Sequence, residues 1–190
     1  MVGLGNPGPE YAETRHNAGC WFLDRLAARA DLRFREHPRS FGQVARLVRL
    51  EHICWLLKPM TFMNHSGRSV AAFAGFYQIP SGRLLVVHDD LDLAPGTVRL
   101  KQGGGHGGHK GLRDIIAQLG EGGFWRLRLG VGHPGQRDQV TPYVLSRPPE
   151  AERGAIEAAI EEALALLPVI LEGGFAIAMN QLHRRPGDGT

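Results

Sequence analysis

Three groups of polar residues in this sequence are of the types that acid–base catalysis requires. They are Asn6 with Tyr11, Arg15 and His16; Asn64-His65; and His88-Asp89-Asp90 with Asp92. Each group follows a predicted strand or lies in a loop, where α/β enzymes carry their catalytic side chains. A carboxylate beside a histidine fixes its tautomer and stabilises its protonated form, which makes the imidazole a general base. His16 with either Asp89 or Asp90 is therefore a candidate base.

Two other hydrolytic chemistries fit the residues less well. The sequence contains no GxSxG motif, and Cys20 lies among apolar residues early in a predicted helix, where a structural thiol is expected. A metal remains an alternative, because one set of residues could supply three ligands: His88, Asp89, Asp90, His106, His109 and His133. However, His106 and His109 lie in a glycine loop, and no HExxH motif occurs. Attack by a base-activated water is the simplest scheme.

Two glycine-rich loops match the GxGxxG pattern of dinucleotide-binding proteins in letters only. In the first, residues 3–8, a helix would have to begin at the third glycine, but Pro9 follows and helical periodicity begins near Asn17. The second, residues 103–108, follows a half-exposed basic strand, and Lys110 is not placed as in a P-loop. Tight turns explain the glycines but not the polar side chains among them. We therefore expect no nucleotide cofactor.

Strands and helices intermix along the chain without a repeat or a long linker. Hydrophobic patterns predict strands at residues 1–4, 43–50, 53–58, 83–87, 97–101 and 124–131. They predict helices at residues 17–31, with Asn17 as the cap, and at 61–77, 111–119 and 150–183, the last broken at Gly173-Gly174. Hairpins imply antiparallel pairs and crossover helices imply parallel ones. We expect a single α/β domain over residues 1–183, a twisted mixed β-sheet flanked by α-helices, and a flexible tail at 184–190.

Composition places the chain among ordinary globular proteins. Its 190 residues are 43% hydrophobic and 22% charged, which excludes disorder, collagen and a coiled coil. No apolar run reaches the roughly 18–20 residues that span a bilayer, so we expect no membrane partner. Two cysteines cannot form a disulfide framework and no secretion signal is apparent, so we expect a cytoplasmic protein. The net charge of +3 permits an anionic partner.

Six unusual sequence blocks occur in one order along residues 1–183. They are VGLGNPG (2–8) with Tyr11, TRHNAG (14–19), KPMTFMN (58–64), HDDLD (88–92), GGGHGGH (103–109) and RLRLGVGHPG (126–135). In these blocks the chain resembles the bacterial peptidyl-tRNA hydrolases. The resemblance implies a monomeric α/β enzyme that needs no metal. Such an enzyme binds the acceptor stem and 3′ end of peptidyl-tRNA and hydrolyses the ester between the peptide and the 3′-terminal ribose.

The resemblance also implies residue roles. His16 matches the catalytic base, Asp89 the carboxylate that orients it, and Asn6 the asparagine that helps to tell blocked from free aminoacyl-tRNA. Asn64 matches a residue that binds the substrate near the ester. Residues that line the site in the family correspond to Tyr11, Phe62 and Met63. The basic residues that bind the tRNA 5′-phosphate correspond to Lys101 and Arg128.

The chemistry of these residues suits an ester substrate. Hydrolysis needs an activated water, an imidazole base and neutral amide donors for the developing oxyanion, which His16, Asn6 and Asn64 supply together with Asp89. Lys101, Arg126 and Arg128 form a basic stripe suited to phosphates, although a solvated strand face would have the same pattern.

One position departs from the family pattern. Most members have asparagine where this chain has Lys110, and that asparagine contacts the tRNA end. Lysine loses the amide acceptor and adds a mobile cation. Either Lys110 turns outward and binds phosphate, or it lies near His16 and lowers its pKa by like-charge repulsion. The departure also keeps open an alternative class, an RNA-binding relative of the same fold without catalytic activity.

Overall fold

The computed structural model describes residues 1–49 and 52–183 of the chain. Its strands are β1 (Val2–Gly3), β2 (Arg35–His37), β3 (Gly42–Arg49), β4 (His52–Pro59), β5 (Leu85–Asp90), β6 (Val98–Gln102) and β7 (Trp125–Gly130). Its α-helices are α1 (Ala18–Arg29), α2 (Ser66–Phe76), α3 (Lys110–Leu119), α4 (Val140–Val144), α5 (Glu150–Ala165), α6 (Leu167–Leu171) and α7 (Phe175–His183). Within the described residues, no helix is long and apolar enough to cross a membrane.

The strands form one mixed sheet in the order β2-β3-β4-β1-β5-β7-β6. The strands β4, β1, β5 and β7 are parallel neighbours, while β2, β3 and β6 pair antiparallel with theirs. The carboxyl ends of the four parallel strands therefore open on one edge of the sheet. This edge is where α/β proteins bind their ligands.

Helices cover both faces of the sheet, because each face presents apolar side chains. On one face, α1 and the C-terminal helices pack on a core that contains Phe22, Leu127 and Ile160. On the other face, α2 and α3 pack on a core that contains Phe73, Val86 and Phe124. The predicted fold class, a single α/β domain with a mixed sheet flanked by helices, is confirmed. The predicted tail at 184–190 lies outside the described residues.

Several boundaries differ from the sequence prediction. Strand β5 continues through His88-Asp89-Asp90 rather than stopping before them, because these residues pair with β7. Helix α2 begins at Ser66, after a 3-10 turn at Met63–His65. The C-terminal helix divides near Pro168 as well as at the glycine pair, since proline cannot donate to the preceding turn. The short elements β2 and α4 were not predicted.

Close approach of α1 to the sheet requires a glycine. A Cβ atom at Gly19 would overlap the carbonyl oxygen of Val87 and the backbone of Leu4. The helix therefore packs directly on β1 and β5, immediately after the turn that carries His16. This packing sets the position of His16 relative to the end of β5.

Candidate active site

A cleft of about 1010 Å³ lies at the carboxyl edge of the parallel strands. The ten residues for which the family resemblance suggests a role all line this cleft: Asn6, Tyr11, His16, Phe62, Met63, Asn64, Asp89, Lys101, Lys110 and Arg128. These residues come from loops and strands that are far apart in the chain. The structure thus brings the predicted set together in one place.

His16 and Asp89 form a buried pair in this cleft. The Nδ1 atom of His16 lies 2.9 Å from both carboxylate oxygens of Asp89, and the two residues are only 9% and 2% exposed. Nδ1 therefore carries the proton that the carboxylate accepts, and Nε2 keeps its lone pair. Burial alone would raise the pKa of the Asp89 carboxyl, but His16 and His109 hold that pKa below its usual range. Of the two predicted carboxylates, Asp89 is the partner of His16, whereas Asp90 accepts a hydrogen bond from Arg128.

The turn that carries His16 is anchored to the C-terminal half of the chain. The guanidinium of the buried Arg15 donates to Ser146 Oγ at 2.7 Å and pairs with Glu152 at 2.7 Å. It also lies over the ring of Tyr143, 4.0 Å from the centroid. Arg15 thus fixes the His16 turn against α4 and α5. The sequence groups Arg15 with the candidate catalytic residues, but its side chain points into this structural network.

A second histidine, His109, also binds Asp89. Its Nε2 lies 3.0 Å from the Oδ1 atom of Asp89. Its Nδ1 accepts the backbone N–H groups of Gly111 at 3.2 Å and Leu112 at 3.3 Å, so His109 caps the N-terminus of α3. Because Nδ1 is an acceptor, the proton must lie on Nε2 and point to Asp89. From the sequence alone His109 is a candidate only for metal ligation, since nothing local marks a histidine as a helix cap.

The same hydrogen bonds decide how well a metal would fit. The potential ligand atoms of His16, Asp89 and His109 lie within 4.8 Å of one another. Ligation would need a lone pair on Nε2 of His109, yet its other nitrogen already uses its lone pair to cap α3. Both imidazoles instead present N–H groups to the carboxylate. The arrangement of these three side chains therefore fits two imidazoles that donate to one carboxylate better than it fits a metal centre.

His88 is a third imidazole behind this pair. It is 2% exposed, and its Nδ1 donates to the Asp89 carbonyl oxygen at 2.7 Å. Its Nε2 has no partner among the described residues. Burial, reinforced by His109, lowers the pKa of His88 to about 3, so this imidazole is neutral at physiological pH. The rings of His16 and His88 each lie 5.0 Å from the ring of His109.

Two asparagines shape the loop that follows β1. The Asn17 side chain does not cap α1 as predicted; it accepts from the Asn6 backbone N–H and donates to the Asn6 carbonyl. The Oδ1 atom of Asn6 accepts the Met63 N–H at 2.7 Å, which leaves the Nδ2 donors of Asn6 for a ligand. Asn64 is exposed, and its side chain contacts His65. Asn6 is thus held rigidly, while Asn64 lies at the surface of the cleft.

The cleft is cationic at one end and aromatic at the other. Lys101 and Arg128 lie on the adjacent strands β6 and β7, beyond β5 in the sheet. Arg126 does not belong to the basic stripe as predicted. It is buried and donates to the carbonyl oxygens of Gly104, Gly105 and Gly122. Arg126 therefore holds the glycine loop. At the opposite end the rings of Tyr11 and Phe62 meet edge to face, with centroids 6.2 Å apart.

Lys110 lies at the first position of α3, next to His109. Its side chain is exposed and lines the cleft. The position is compatible with contact to an anionic ligand.

An α/β domain with a buried histidine–aspartate pair between a cationic and an aromatic end is suited to general-base hydrolysis. Comparison with known proteins agrees. Residues 1–188 match the family model described as peptidyl-tRNA hydrolase, and the chain belongs to that family. The family predicted from the sequence is thereby confirmed.

Individual relatives are similar over nearly their whole length. The chain is 53% identical to a peptidyl-tRNA hydrolase of Azotobacter vinelandii over 97% of this chain and 96% of the relative. It is 54% identical to one of Methylobacillus flagellatus, again over 97% and 96%. A solved peptidyl-tRNA hydrolase in complex with N-propanol superposes with a TM-score of 0.94, at 46% identity, covering 98% of this chain and 95% of that one. The enzyme of Acinetobacter baumannii gives 0.93 at 47% identity, covering 95% and 92%.

Proposed function

We propose that this protein hydrolyses the ester between a peptide, or an N-blocked amino acid, and the 3′-terminal ribose of tRNA, and so releases free tRNA. The observation that carries the proposal is the His16–Asp89 pair, buried at the centre of a cleft whose two ends differ in chemistry. Membership of the peptidyl-tRNA hydrolase family supports the choice of substrate.

In the proposed reaction, His16 is the general base. Its Nε2 takes a proton from a water molecule, the water oxygen attacks the ester carbonyl carbon, and a tetrahedral oxyanion forms. Asp89 keeps the proton of Nδ1 in place and stabilises the imidazolium that results. The Nδ2 donors of Asn6, together with Asn64, hydrogen-bond the substrate near the oxyanion. As the intermediate collapses, the ribose oxygen leaves and accepts the proton from His16.

Binding of the tRNA would use the cationic end of the cleft. Lys101 and Arg128 are the proposed contacts for the 5′-phosphate at the acceptor end, and Lys110 for a phosphate near the 3′ end. Arg128 is held by Asp90 at 2.7 Å, which presents its guanidinium in a fixed orientation. Tyr11, Phe62 and Met63 would contact the part of the substrate on the other side of the ester.

We also propose that the protein acts as a monomer in the cytoplasm. All of the proposed site residues come from one chain, so the cleft needs no second copy. The described cysteines, Cys20 and Cys54, are unpaired thiols, as in proteins of a reducing compartment.

The test is release of the blocked amino acid from N-acetyl-aminoacyl-tRNA, measured in the presence of a chelator. The wild type should turn over without metal, and His16→Ala should lower kcat about 10²- to 10⁴-fold, which is the usual contribution of a general base. The matched control is His52→Ala, because His52 is exposed at the start of β4, on the edge of the sheet away from the cleft.

The second measurement is the affinity for tRNA as a function of salt concentration. Arg128→Ala should weaken binding and reduce the slope of log K against log salt by about 0.7–0.9, the range between single-stranded and duplex nucleic acid for one lost phosphate contact. An inactive wild type that still binds tRNA in a salt-dependent way would instead indicate the non-catalytic RNA-binding alternative. Loss of activity in a chelator would contradict the metal-free mechanism.

A further inference from the structure

A second cavity of about 190 Å³ adjoins the active-site cleft on its aromatic side. Asn6 lines both cavities, so they meet at the loop that follows β1. Trp21, Pro59 and Met60 line the second cavity together with polar side chains that include Asn17 and Gln43. Its charged residues are already paired, since Lys58 Nζ lies 2.6 Å from Asp24 Oδ1. The cavity therefore offers apolar side chains and neutral amides to a ligand, with no unmatched charge from this pair.

Each of the two cavities is lined by an exposed apolar side chain from the segment that follows β4. Phe62 is 55% exposed and lines the cleft, while Met60, two residues earlier, is 39% exposed and lines the second cavity. Large apolar side chains that are exposed next to a binding cleft commonly mark a contact surface. Here one such side chain lines each cavity.

The order of the strands determines which part of the substrate would reach this cavity. Across the sheet, Met60 follows β4, Asn6 follows β1, Asp89 lies on β5, and Arg128 lies on β7. With the ester at His16 and Asp89, and the tRNA phosphates at the β7 end, the acyl side of the ester must face β1 and β4. The acyl side is the peptide.

We propose that the cavity between Trp21 and Met60, here called the peptide cavity, binds an apolar side chain of the peptide part of the substrate. This inference rests on the proposed function. From β5 to β4 the sheet advances by two strands, about 10 Å at ~4.8 Å per strand. An extended chain covers about 3.3–3.6 Å per residue, so roughly three residues span that distance. The side chain bound would belong to about the third or fourth residue from the ester.

The experiment compares substrates on the same tRNA that carry N-acetylated peptides of one to six residues. For the wild type, kcat/KM should rise with length until about the fourth residue and then level off. Met60→Glu places a charge in the peptide cavity, so the ratio of kcat/KM for a four-residue apolar peptide to that for one residue should fall roughly tenfold. Met60→Ala should lower the ratio less. Because Met60 is exposed, neither variant removes a core side chain.

Placing opposite charges at residue 60 and at one position of the substrate peptide identifies which peptide residue the cavity binds. Met60→Glu should prefer a peptide with lysine at the position that reaches the cavity over the same peptide with leucine, whereas the wild type should prefer leucine. The matched control is Ile177→Glu, since Ile177 is 56% exposed on α7 and lines neither cavity. This control should keep the wild-type ratio.

Two results would overturn the peptide cavity. One is a wild type whose kcat/KM does not depend on peptide length; the other is a Met60→Glu variant that affects short and long substrates equally. Failure of the proposed function would look different, because the wild type would then hydrolyse neither substrate.

Discussion

The shared position of Asp89 between two imidazoles leads to a specific prediction for Asp89→Asn. The carboxylate accepts one N–H from His16 at 2.9 Å and one from His109 at 3.0 Å. Asparagine keeps one oxygen, which His109 requires at the Oδ1 position, and places an NH₂ group at the Oδ2 position, 2.9 Å from Nδ1 of His16. His109 cannot exchange its tautomer, because its Nδ1 already accepts two backbone N–H groups of α3. We expect His16 to change tautomer instead, which moves its proton to Nε2 and removes the base.

The expected magnitudes follow from these contacts. Loss of the base should lower kcat about 10²- to 10⁴-fold in Asp89→Asn. His109→Phe removes one charge-assisted hydrogen bond that holds the Asp89 carboxylate in place; if its full worth of about 1.5–3 kcal/mol were lost from the barrier, kcat would fall roughly ten- to hundredfold, which is the upper limit. If the two changes were independent, the double variant would lose about 10³- to 10⁶-fold. We expect it instead to be at least as active as Asp89→Asn alone, because the asparagine oxygen no longer has to face His109 and can turn to His16.

The assay is a double-mutant cycle on kcat with N-acetyl-aminoacyl-tRNA at saturating concentration. Thermal unfolding of each variant provides the control, since His109→Phe also removes a helix cap worth about 1 kcal/mol. A double variant less active than Asp89→Asn by the full factor that His109→Phe costs in the wild type would show that His16 keeps its tautomer in Asp89→Asn. The two histidines would then act on Asp89 independently.

Two further predictions concern pH. His88 has a folded pKa of about 3 against an ordinary value of 6.5, so between these values the unfolded chain binds the extra proton and stability should decrease as pH falls. In His88→Asn, which can keep the hydrogen bond to the Asp89 carbonyl, urea unfolding between pH 4 and 6.5 should show a smaller decrease; an identical decrease would contradict the assignment. If Lys110 contacts phosphate, the acidic limb of the pH–rate profile should lie at the same pH in Lys110→Asn as in the wild type. The salt dependence of tRNA binding should then be smaller in the variant than in the wild type. A shifted limb with unchanged salt dependence would indicate repulsion of His16 instead.

The regular part of the fold could be predicted from the sequence because its apolar periodicity is local. The β3–β4 hairpin and helix α3 agree with their predicted ranges to within about two residues at the ends that the structure describes. The elements that were missed depend on tertiary contacts. Strand β2 has three residues and exists through its pairing with β3. The sequence of α4, VTPYV, contains two β-branched valines, a threonine and a proline, which disfavour a helix locally.

The site was predicted unevenly for a similar reason. The pairing of His16 with a carboxylate follows from residue types, but the choice between Asp89 and Asp90 depends on β7, which supplies Arg128 as the partner of Asp90. The buried role of Arg126 could not be predicted from an alternating strand pattern, because the carbonyl groups that it binds belong to a distant loop and to Gly122. His109 was missed as a partner of Asp89, from which it is separated by a strand and a glycine loop.

The order of the strands explains how one cleft can serve two chemically different halves of a substrate. In the chain, β1 comes first and β4 follows it, yet in the sheet β1 lies between β4 and β5. This insertion places the Asn6 loop next to Asp89 and moves the apolar residues after β4 to the outer side of that loop. On the other side, β7 lies against β5 and brings Arg128 within 2.7 Å of Asp90. A base that acts on the bond between a peptide and a polyanion must lie between an apolar and a cationic surface, and β5 is the strand at which the two surfaces meet.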